Sequence, residues 1–285
     1  MSPDIHRLIE LALAEDIRSG DIASKACIPD NAVIAGSFYM RQAGIVAGLP
    51  ILEALYQILD PRVKVKPLVA EGSYQKAGVT IASISGPAGL IISGERTALN
   101  LIQHACGVAT ITAAYVRKVK GLPCKILDTR KTLPGLRALE KYAVNIGGGT
   151  NYRFGLDDRC IVKMNHLIFL HGASLQPIEE AIQRIQALNP NVEIEVEVDD
   201  LVSLADAMHP SVHTIMLRNM PPREVKTCVE RIHAKGKKAY VEASGSITLD
   251  TVRAYAETGV DGIAIGALTH SVQDLDIVLR LNQSN

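Results

Sequence analysis

Residues 238–266 read KAYVEASGSITLDTVRAYAETGVDGIAIG and contain two short β-branched runs on either side of an amphipathic segment. The runs Lys238–Val241 and Gly262–Ile265 predict strands, and Leu249–Glu257 between them predicts a helix. A strand, a helix and a second strand in this order form the repeating unit of a parallel sheet. The stretch therefore predicts an α/β fold.

The same alternation begins at Cys124 and fills the second half of the chain. Six predicted strands in roughly 150 residues are fewer than the eight of a closed α/β barrel. We therefore expect an incomplete α/β barrel of about seven strands, in preference to an open doubly wound sheet. The other predicted strands are Lys125–Asp128, Cys160–Lys163, Val192–Val198 and Val212–Leu217, and the other helices are Pro177–Leu188 and Pro222–Ala234.

The first hundred residues mix strand and helix patterns and predict an α+β unit. Val33–Met40 has the pattern of a strand. The uncharged run Ala77–Gly94 predicts two short strands with a turn at residues 85–89, because serine, glycine and proline are concentrated there. A long helix is expected from Ser93 to about Val119, interrupted near Gly107.

Composition excludes several classes of protein. The 30 Lys and Arg residues balance 30 Asp and Glu residues, so no overall positive field attracts nucleic acid or an anionic membrane. Five widely spaced cysteines without a C-x-x-C motif predict reduced thiols and a cytoplasmic protein, without a disulfide framework or zinc site. The acidic N-terminus argues against a signal peptide, and the glycines of the uncharged run argue against a membrane span.

Polar residues follow the predicted strands of the second half. In α/β barrels the carboxyl ends of the strands form the mouth that holds the substrate, so these side chains are expected to converge. Several are basic, which predicts a polyanionic ligand with carboxylates or phosphates. Counting Arg153 in the glycine-rich loop 147–153, the strand-end groups are Asp128, Arg130, Lys131, Lys163, Asn165, His166, Glu197, Asp199, Arg218, Asn219 and Glu242.

Glycines follow the last two predicted strands, in the segment Ser244-Gly245-Ser246 and at Gly266. Such turns let backbone N–H groups approach a phosphate, and a following helix N-terminus adds partial positive charge. The alternative is that both are ordinary turn glycines.

Four carboxylates alternate along the third predicted strand, at Glu193, Glu195, Glu197 and Asp199. Alternate residues of a strand share one face, so these groups would repel one another unless Mg²⁺ or basic side chains intervene. The alternative is that only the last one or two reach the mouth and that Glu193 and Glu195 pair with lysines below it.

With these segments in view, the sequence closely resembles the quinolinate phosphoribosyltransferase family, also called nicotinate-nucleotide pyrophosphorylases. The resemblance covers nearly the whole chain. The matching stretches are LALAED at 11–16 with Gly20-Asp21, AGLP at 47–50, ERTALN at 95–100, DTRKT at 128–132, residues 147–156, EVEV at 195–198, EASG at 242–245, GVD at 259–261 and GALTH at 266–270.

The resemblance implies a domain organisation and an assembly. It predicts an N-terminal α/β sandwich at residues 1–106, completed by residues 271–285, and an incomplete α/β barrel at residues 107–270. It also implies a homodimer, or a higher assembly of dimers, in which Arg96 enters the neighbouring subunit's site.

The implied activity converts quinolinate and phosphoribosyl pyrophosphate to nicotinate mononucleotide, CO₂ and pyrophosphate in NAD biosynthesis. The implied catalytic residues are Lys131, Lys163 and Glu197. Small molecules would thus be the partners, with Mg²⁺ as the cofactor on Glu197. The implied substrate-binding residues are Arg96, Arg130, Arg153, His166, Ser244, Gly245 and Gly266, the last three around the 5′-phosphate. Tyr152 and Arg218, in the same segments, are also predicted to bind substrate, and Asp199 is a second candidate ligand for Mg²⁺.

Three positions depart from the usual family pattern. Tyr152 stands where the family usually has His, Met164 where it has Asp, and Arg218 where it has Asp in Leu-Asp-Asn. Arg218 removes an oxygen ligand that Mg²⁺ favours. Either Asp199 or water replaces that ligand, or Arg218 contacts pyrophosphate directly.

These departures keep rival hypotheses open. One is a diverged phosphoribosyltransferase acting on another aromatic acid. A second is a noncatalytic homologue that binds a nucleotide or an organic acid. A third, which the full-length resemblance disfavours, is a phosphate-binding barrel lyase with a Schiff base on Lys131 or Lys163.

Overall fold

A computed structural model describes residues 1–170 and 176–282 of the chain. The chain divides into two compact units. The first unit combines Met1–Ala113, Lys131–Gly148 and the chain from Ala267 onward, and the second combines Ala114–Arg130 with Gly149–Gly266.

The helices and strands alternate irregularly in the first hundred residues and regularly thereafter. In chain order they are α1 (Pro3–Ile17), α2 (Ile22–Cys27), β1 (Val33–Met40), β2 (Gly44–Ile45), α3 (Leu49–Leu59), β3 (Lys64–Pro67), β4 (Tyr74–Gln75), β5 (Thr80–Pro87), α4 (Ala88–Lys118), β6 (Lys125–Leu127), α5 (Arg137–Ile146), β7 (Cys160–Val162), α6 (Met164–Leu167), α7 (Pro177–Leu188), β8 (Ile194–Val198), α8 (Leu201–Ala207), β9 (Thr214–Arg218), α9 (Pro222–Ala234), β10 (Tyr240–Ser244), α10 (Val252–Ala256), β11 (Gly262–Ala264), α11 (Ala267–His270) and β12 (Ile277–Leu281).

The first unit is built on an antiparallel sheet with the strand order β12-β1-β5-β3. Helix α1 begins where the Ser2 hydroxyl accepts a hydrogen bond from the backbone N–H of Ile5, and proline at the first helical position fits this start. Ile5, Ile9 and Leu13 recur every four residues and are buried, so one face of α1 joins the core. Residues 283–285 of the segment predicted to complete this domain lie outside the described residues.

Two predictions about the first half of the chain are wrong. Strand β5 continues to Pro87, which pairs with Val33, and α4 begins at Ala88, so no turn separates two strands at residues 85–89. Helix α4 also runs through Gly107 without interruption. A Cβ at this position would lie 2.6 Å from the backbone oxygen of Gln273, so glycine serves close packing here and does not end the helix.

Segment 131–148 joins the first unit through buried polar contacts. His104 on α4 lies between the carboxylates of Glu140, at 3.0 Å, and Asp274, at 2.8 Å. Burial opposes protonation of His104, but its hydrogen bonds to the carboxylates of Glu140 and Asp274 outweigh this and raise the pKa of the imidazole. The domain boundaries inferred from the resemblance assigned this segment to the barrel, and they stay a prediction.

The second unit is built on a parallel sheet with the order β6-β11-β10-β9-β8-β7. The predicted α/β fold is confirmed, and helices α7 and α9 have the predicted bounds. Thr150 forms an isolated parallel bridge with Leu127 beside β6. The strands β6 and β7 are the two edges of the sheet, so the barrel is open between them.

Alternation along the strands of this sheet separates apolar from polar side chains. On β8, Val196 and Val198 are fully buried on one face, and Glu195 and Glu197 occupy the other. Glu242 follows the same rule on β10. The strands therefore bury hydrophobic groups on the helix side and place carboxylates inside the barrel.

No helix among the described residues is long and apolar enough to cross a membrane.

Candidate active site

Three charged side chains meet where β7, β8 and β9 end. The register pairs Val162 with Val196, so Lys163 and Glu197 follow on neighbouring strands. The Lys163 Nζ lies 3.6 Å from the Glu197 Oε2, and an Arg218 guanidinium nitrogen lies 3.2 Å from the Glu197 Oε1. The carboxylate is 9 % exposed, whereas the two cations are nearly half exposed. Both cations therefore have free surface on which to receive an anion.

His166 is oriented by the start of the short helix α6. The backbone N–H of Lys163 donates to the His166 Nδ1 over 3.1 Å, so Nδ1 is the unprotonated acceptor in this contact. The ring is exposed, which leaves Nε2 as its free polar atom toward solvent. The sequence-predicted pair Lys163 and His166 is thus held together by the helix start.

Arg153 is a buried cation, 8 % exposed, in the loop before β7. One guanidinium nitrogen donates to the backbone oxygen of Arg159 over 2.7 Å, and its Nε has no hydrogen-bond partner among the described residues. Burial lowers the pKa of Arg153, and the positive charge of Arg130 lowers it further. The two predicted carboxylate-binding arginines therefore share one electrostatic environment.

The turn after β10 has an unusual backbone. Gly245 has a φ of 109° and Ser246 a φ of 49°, and Asn219 on the adjacent turn has a φ of 54°. The Asn219 N–H donates to the Ser244 oxygen over 2.8 Å, which ties the two turns together. A Cβ on Gly245 would overlap the Asn219 Oδ1, so only glycine fits there. Gly266, predicted with them, is half-buried after β11.

A buried polar cluster that sequence analysis did not predict lies deeper inside this unit. The Tyr152 hydroxyl donates to the Glu195 Oε2, and the Arg159 guanidinium lies over the Tyr152 ring at 5.4 Å. Arg159 also pairs with Glu193 at 2.8 Å and Glu195 at 3.7 Å. Period-two alternation correctly placed Glu195 on the inner face, and its pairing with an arginine and a tyrosine replaces the expected lysines.

Glu242 stands beside this cluster, and both of its carboxylate oxygens lack a hydrogen-bond partner among the described residues. Sequence analysis placed Glu242 among the strand-end groups, and the structure places it in the middle of β10, on the same strand face as Ser244. Burial, reinforced by the charge of Glu195, raises the pKa of Glu242 well above 4.5. Burial also raises the pKa of Glu195, although Tyr152 and Arg159 oppose this.

A cavity of about 590 Å³ opens at the opposite end of the sheet from Glu197. It is lined by residues at the amino ends of strands, among them Lys125, Thr214 and Tyr240, and by Glu242. Tyr152, Arg153 and Arg159 line it too, so the buried cluster borders this cavity.

Three other predicted site residues are exposed. Arg96 is exposed on α4, and Lys131 is exposed with its backbone oxygen accepting a hydrogen bond from Thr269 Oγ1 over 2.7 Å. Both belong to the first unit. Asp199 is exposed directly after β8 in the second unit. The roles of these three residues stay predictions.

The family models for the quinolinate phosphoribosyl transferase N-terminal and C-terminal domains match residues 21–106 and 108–280. The chain belongs to this family. It is 40 % identical over 278 residues to the nicotinate-nucleotide pyrophosphorylase [carboxylating] of Mycobacterium leprae, covering 96 % of this chain and 95 % of that protein. A probable enzyme of the same name from Bacillus subtilis is 39 % identical over 282 residues, 99 % of this chain and 94 % of that protein.

Solved structures of the family have the same fold. The Ehrlichia chaffeensis nicotinate-nucleotide pyrophosphorylase superimposes with a TM-score of 0.90 at 35 % identity, covering 99 % of both chains. NadC from Streptococcus pyogenes gives a TM-score of 0.91 at 32 % identity, covering 100 % of this chain and 99 % of that one. The fold and the family predicted from the sequence are therefore confirmed.

Glu242→Gln should make the protein less sensitive to alkaline pH. Because the pKa of Glu242 is raised on folding, its contribution to stability is complete below the unfolded value near 4.5 and is lost as the pH rises toward the folded pKa. The loss amounts to about 1.4 kcal/mol per pH unit at its steepest. Thermal unfolding at pH 5 and pH 8 should show the variant gaining several degrees over the wild type at pH 8 alone.

The matched control for this measurement is Glu230→Gln, which changes an exposed carboxylate on α9. It should follow the wild type at both pH values. A difference between Glu242→Gln and the wild type that does not change with pH would show that Glu242 ionises in the folded protein as it does in the unfolded one.

Proposed function

We propose that this chain transfers the phosphoribosyl group of phosphoribosyl pyrophosphate to quinolinate, yielding nicotinate mononucleotide, CO₂ and pyrophosphate for NAD synthesis. The observation that carries the proposal is the full-length family match together with basic side chains where β7 and β9 end. Lys163 and Arg218 present positive charge there, and Arg153 holds a desolvated charge nearby in sequence to β7. A pyridine dicarboxylate and a pyrophosphate both suit such groups.

In the first step the ring nitrogen of the acid forms a bond to C1 of the ribose as the bond from C1 to the pyrophosphate oxygen breaks. The bonding electrons leave with pyrophosphate, and C1 passes through an oxocarbenium-like state. Negative charge grows on the leaving group, so fixed cations stabilise this transition state more than the ground state. We assign Arg218 and Lys131 to the leaving pyrophosphate, and the Glu197 carboxylate to the positive charge on the ribose.

In the second step the bond from C2 of the ring to its carboxylate breaks. The electron pair stays on C2 beside the cationic ring nitrogen, and a proton replaces CO₂. Arg130, Arg153 and Lys163 are assigned to the two carboxylates, and His166 to the surrounding pocket. Lys163 and His166 are the two candidates for donating the proton, since the α6 start holds them together.

The 5′-phosphate is assigned to the turns after the last two strands. The close approach of Asn219 and the positive φ require glycine at position 245, in a turn at the carboxyl end of β10. Turns of this kind can direct backbone N–H groups toward a phosphate. Ser244, Gly245 and Gly266 form this proposed phosphate site.

The proposed activity predicts equal release of pyrophosphate and CO₂ from quinolinate and phosphoribosyl pyrophosphate, with nicotinate mononucleotide detected by mass spectrometry. Arg153→Ala should weaken acid binding by roughly 2 to 5 kcal/mol, because it removes one partner of a desolvated charge pair. Arg184→Ala on the exposed face of α7 is the matched control and should change nothing.

A panel of other aromatic acids separates the rival functions in the same assay. Tyr152 and Arg218 favour a diverged enzyme, which would consume a different acid and leave quinolinate intact. Binding of an acid without turnover would instead indicate a noncatalytic homologue. Either result would contradict the proposed reaction.

The residues around Glu197 do not fit a protein-held Mg²⁺. Each of its carboxylate oxygens faces a cation, Lys163 or Arg218. No group of three or more His, Cys, Asp and Glu side chains within residues 1–170 and 176–282 could hold a metal ion. Asp199, the second predicted ligand, belongs to no such group. We therefore assign no step to a metal held by these residues, and Arg218 takes the role of the charge that faces pyrophosphate.

Pyrophosphate release should consequently depend weakly on Mg²⁺. Arg218→Asp replaces a cation by an oxygen ligand beside Glu197 and should introduce a steeper dependence. The measurement is the initial rate of pyrophosphate release against Mg²⁺ concentration in the two proteins. Identical curves of rate against Mg²⁺ concentration would show that Arg218 does not act on pyrophosphate.

We also propose that the working form is a homodimer, or an assembly of dimers, in the cytoplasm. The resemblance assigns Arg96 to the neighbouring subunit's site, and its exposure on α4 is compatible with this role. The five cysteines are all free thiols, as a reducing compartment would keep them.

Mixing Arg96→Ala and Lys131→Ala chains should partly restore activity, since a heterodimer would carry one intact site and one doubly altered site. The readout is turnover after subunit exchange, with each variant alone as its own control. Well-folded mixed dimers without any turnover would place Arg96 in its own subunit's site or outside it.

A further inference from the structure

We propose that Tyr152 and Arg159, anchored on Glu195, are positioning residues that fix the guanidinium of Arg153 for the carboxylates of the acid. This inference rests on the proposed function, which assigns Arg153 to the substrate. Neither the resemblance nor the comparisons assign a role to Arg159 or to Glu195.

Tyr152 is held at both of its ends. Its backbone N–H donates over 2.7 Å to the Oδ1 of Asp128, which is fully buried directly after β6. Its hydroxyl donates to Glu195 on β8. One residue thus connects the two sides of the opening between β6 and β7, and it fixes the backbone of the residue that follows it, Arg153.

Arg159 lies at the other end of the loop that begins at Arg153, directly before β7. Its guanidinium pairs with Glu193 and Glu195 and lies over the ring of Tyr152. Its backbone oxygen accepts the hydrogen bond from Arg153. The side chain of Arg159 therefore determines where that carbonyl stands, and the carbonyl determines the direction of the Arg153 guanidinium.

Arg153 needs this support because burial disfavours its charge. It is almost completely buried and its Nε has no partner among the described residues. The charge of Arg130 adds to this cost, and the charge of Glu195 offsets part of it. A buried guanidinium with one carbonyl partner would turn toward water if the partner moved. An acid carboxylate that binds Arg153 in place would supply the missing acceptor.

Tyr152 and Arg159 act through Arg153 and not on the substrate. The Tyr152 hydroxyl is committed to Glu195, and the Arg159 guanidinium is committed to two carboxylates and an aromatic ring. Losing either should therefore affect the binding of the acid, and the use of phosphoribosyl pyrophosphate should not change.

The test compares Tyr152→Phe, Arg159→Met and Arg159→Lys with the wild type. We expect the KM for the acid to rise about tenfold in the first two, equivalent to about 1.4 kcal/mol. The KM for phosphoribosyl pyrophosphate should stay within about twofold in all three. Lysine keeps a positive charge beside Glu193 and Glu195, so the acid KM of Arg159→Lys should lie between those of Arg159→Met and the wild type. Arg184→Met is the control for removing an exposed paired arginine.

A double-mutant cycle distinguishes positioning from general damage to the fold. If Tyr152 acts through Arg153, Tyr152→Phe should have no further effect on the acid KM in an Arg153→Ala background. Full additivity of the two changes, or an equal rise of both KM values in Tyr152→Phe, would overturn the inference.

A second readout keeps the inference independent of turnover. The Nε–H proton of Arg153, assigned by its disappearance in Arg153→Lys, should exchange slowly with solvent in the wild type and rapidly in Tyr152→Phe. Equal exchange in both proteins would overturn the network. A wild type that neither binds nor converts quinolinate would contradict the proposed function. The exchange rates would still show whether Tyr152 fixes the Arg153 guanidinium.

Discussion

Burial of carboxylates on the inner face of a parallel sheet is the constraint on which this structure depends. Alternation along β8 and β10 places Glu195, Glu197 and Glu242 on that face, where their charges are costly. The protein meets this cost in a different way for each. Glu197 has two cations, Glu195 has a tyrosine and an arginine, and burial raises the pKa of Glu242, which favours its neutral form.

These three solutions leave different amounts of charge accessible to a ligand. Glu242 is fully buried in the middle of β10 and its pKa is raised by burial, and Glu195, near the amino end of β8, is paired with Tyr152 and Arg159. At the carboxyl ends the partners of Glu197 are partly exposed, so their charge is available to a ligand. The proposed reaction belongs at this end, because developing negative charge is best stabilised by cations fixed before the substrate arrives.

Sequence reasoning succeeded where one local rule determines the outcome. Helices α7 and α9 and the carboxyl ends of the strands follow from periodicity, and the convergence of Lys163, Glu197 and Arg218 follows from the parallel register. It failed where distant segments decide. Gly107 continues a helix because the chain near Gln273 packs against it, and no local pattern shows this. Arg159 is one arginine among many in the sequence, and only the fold brings it over Tyr152.

Charge balance at the carboxyl ends of the strands accounts for the class of ligand. At the carboxyl ends of β7 and β9 the cations Lys163 and Arg218 are nearly half exposed around the buried carboxylate of Glu197. Two exposed cations around one carboxylate favour an anionic ligand over a neutral or cationic one. A dicarboxylate and a pyrophosphate supply negative charge for these cations. In the proposed network, Tyr152, Arg159 and Glu195 hold the Arg153 guanidinium in its buried position before the acid binds.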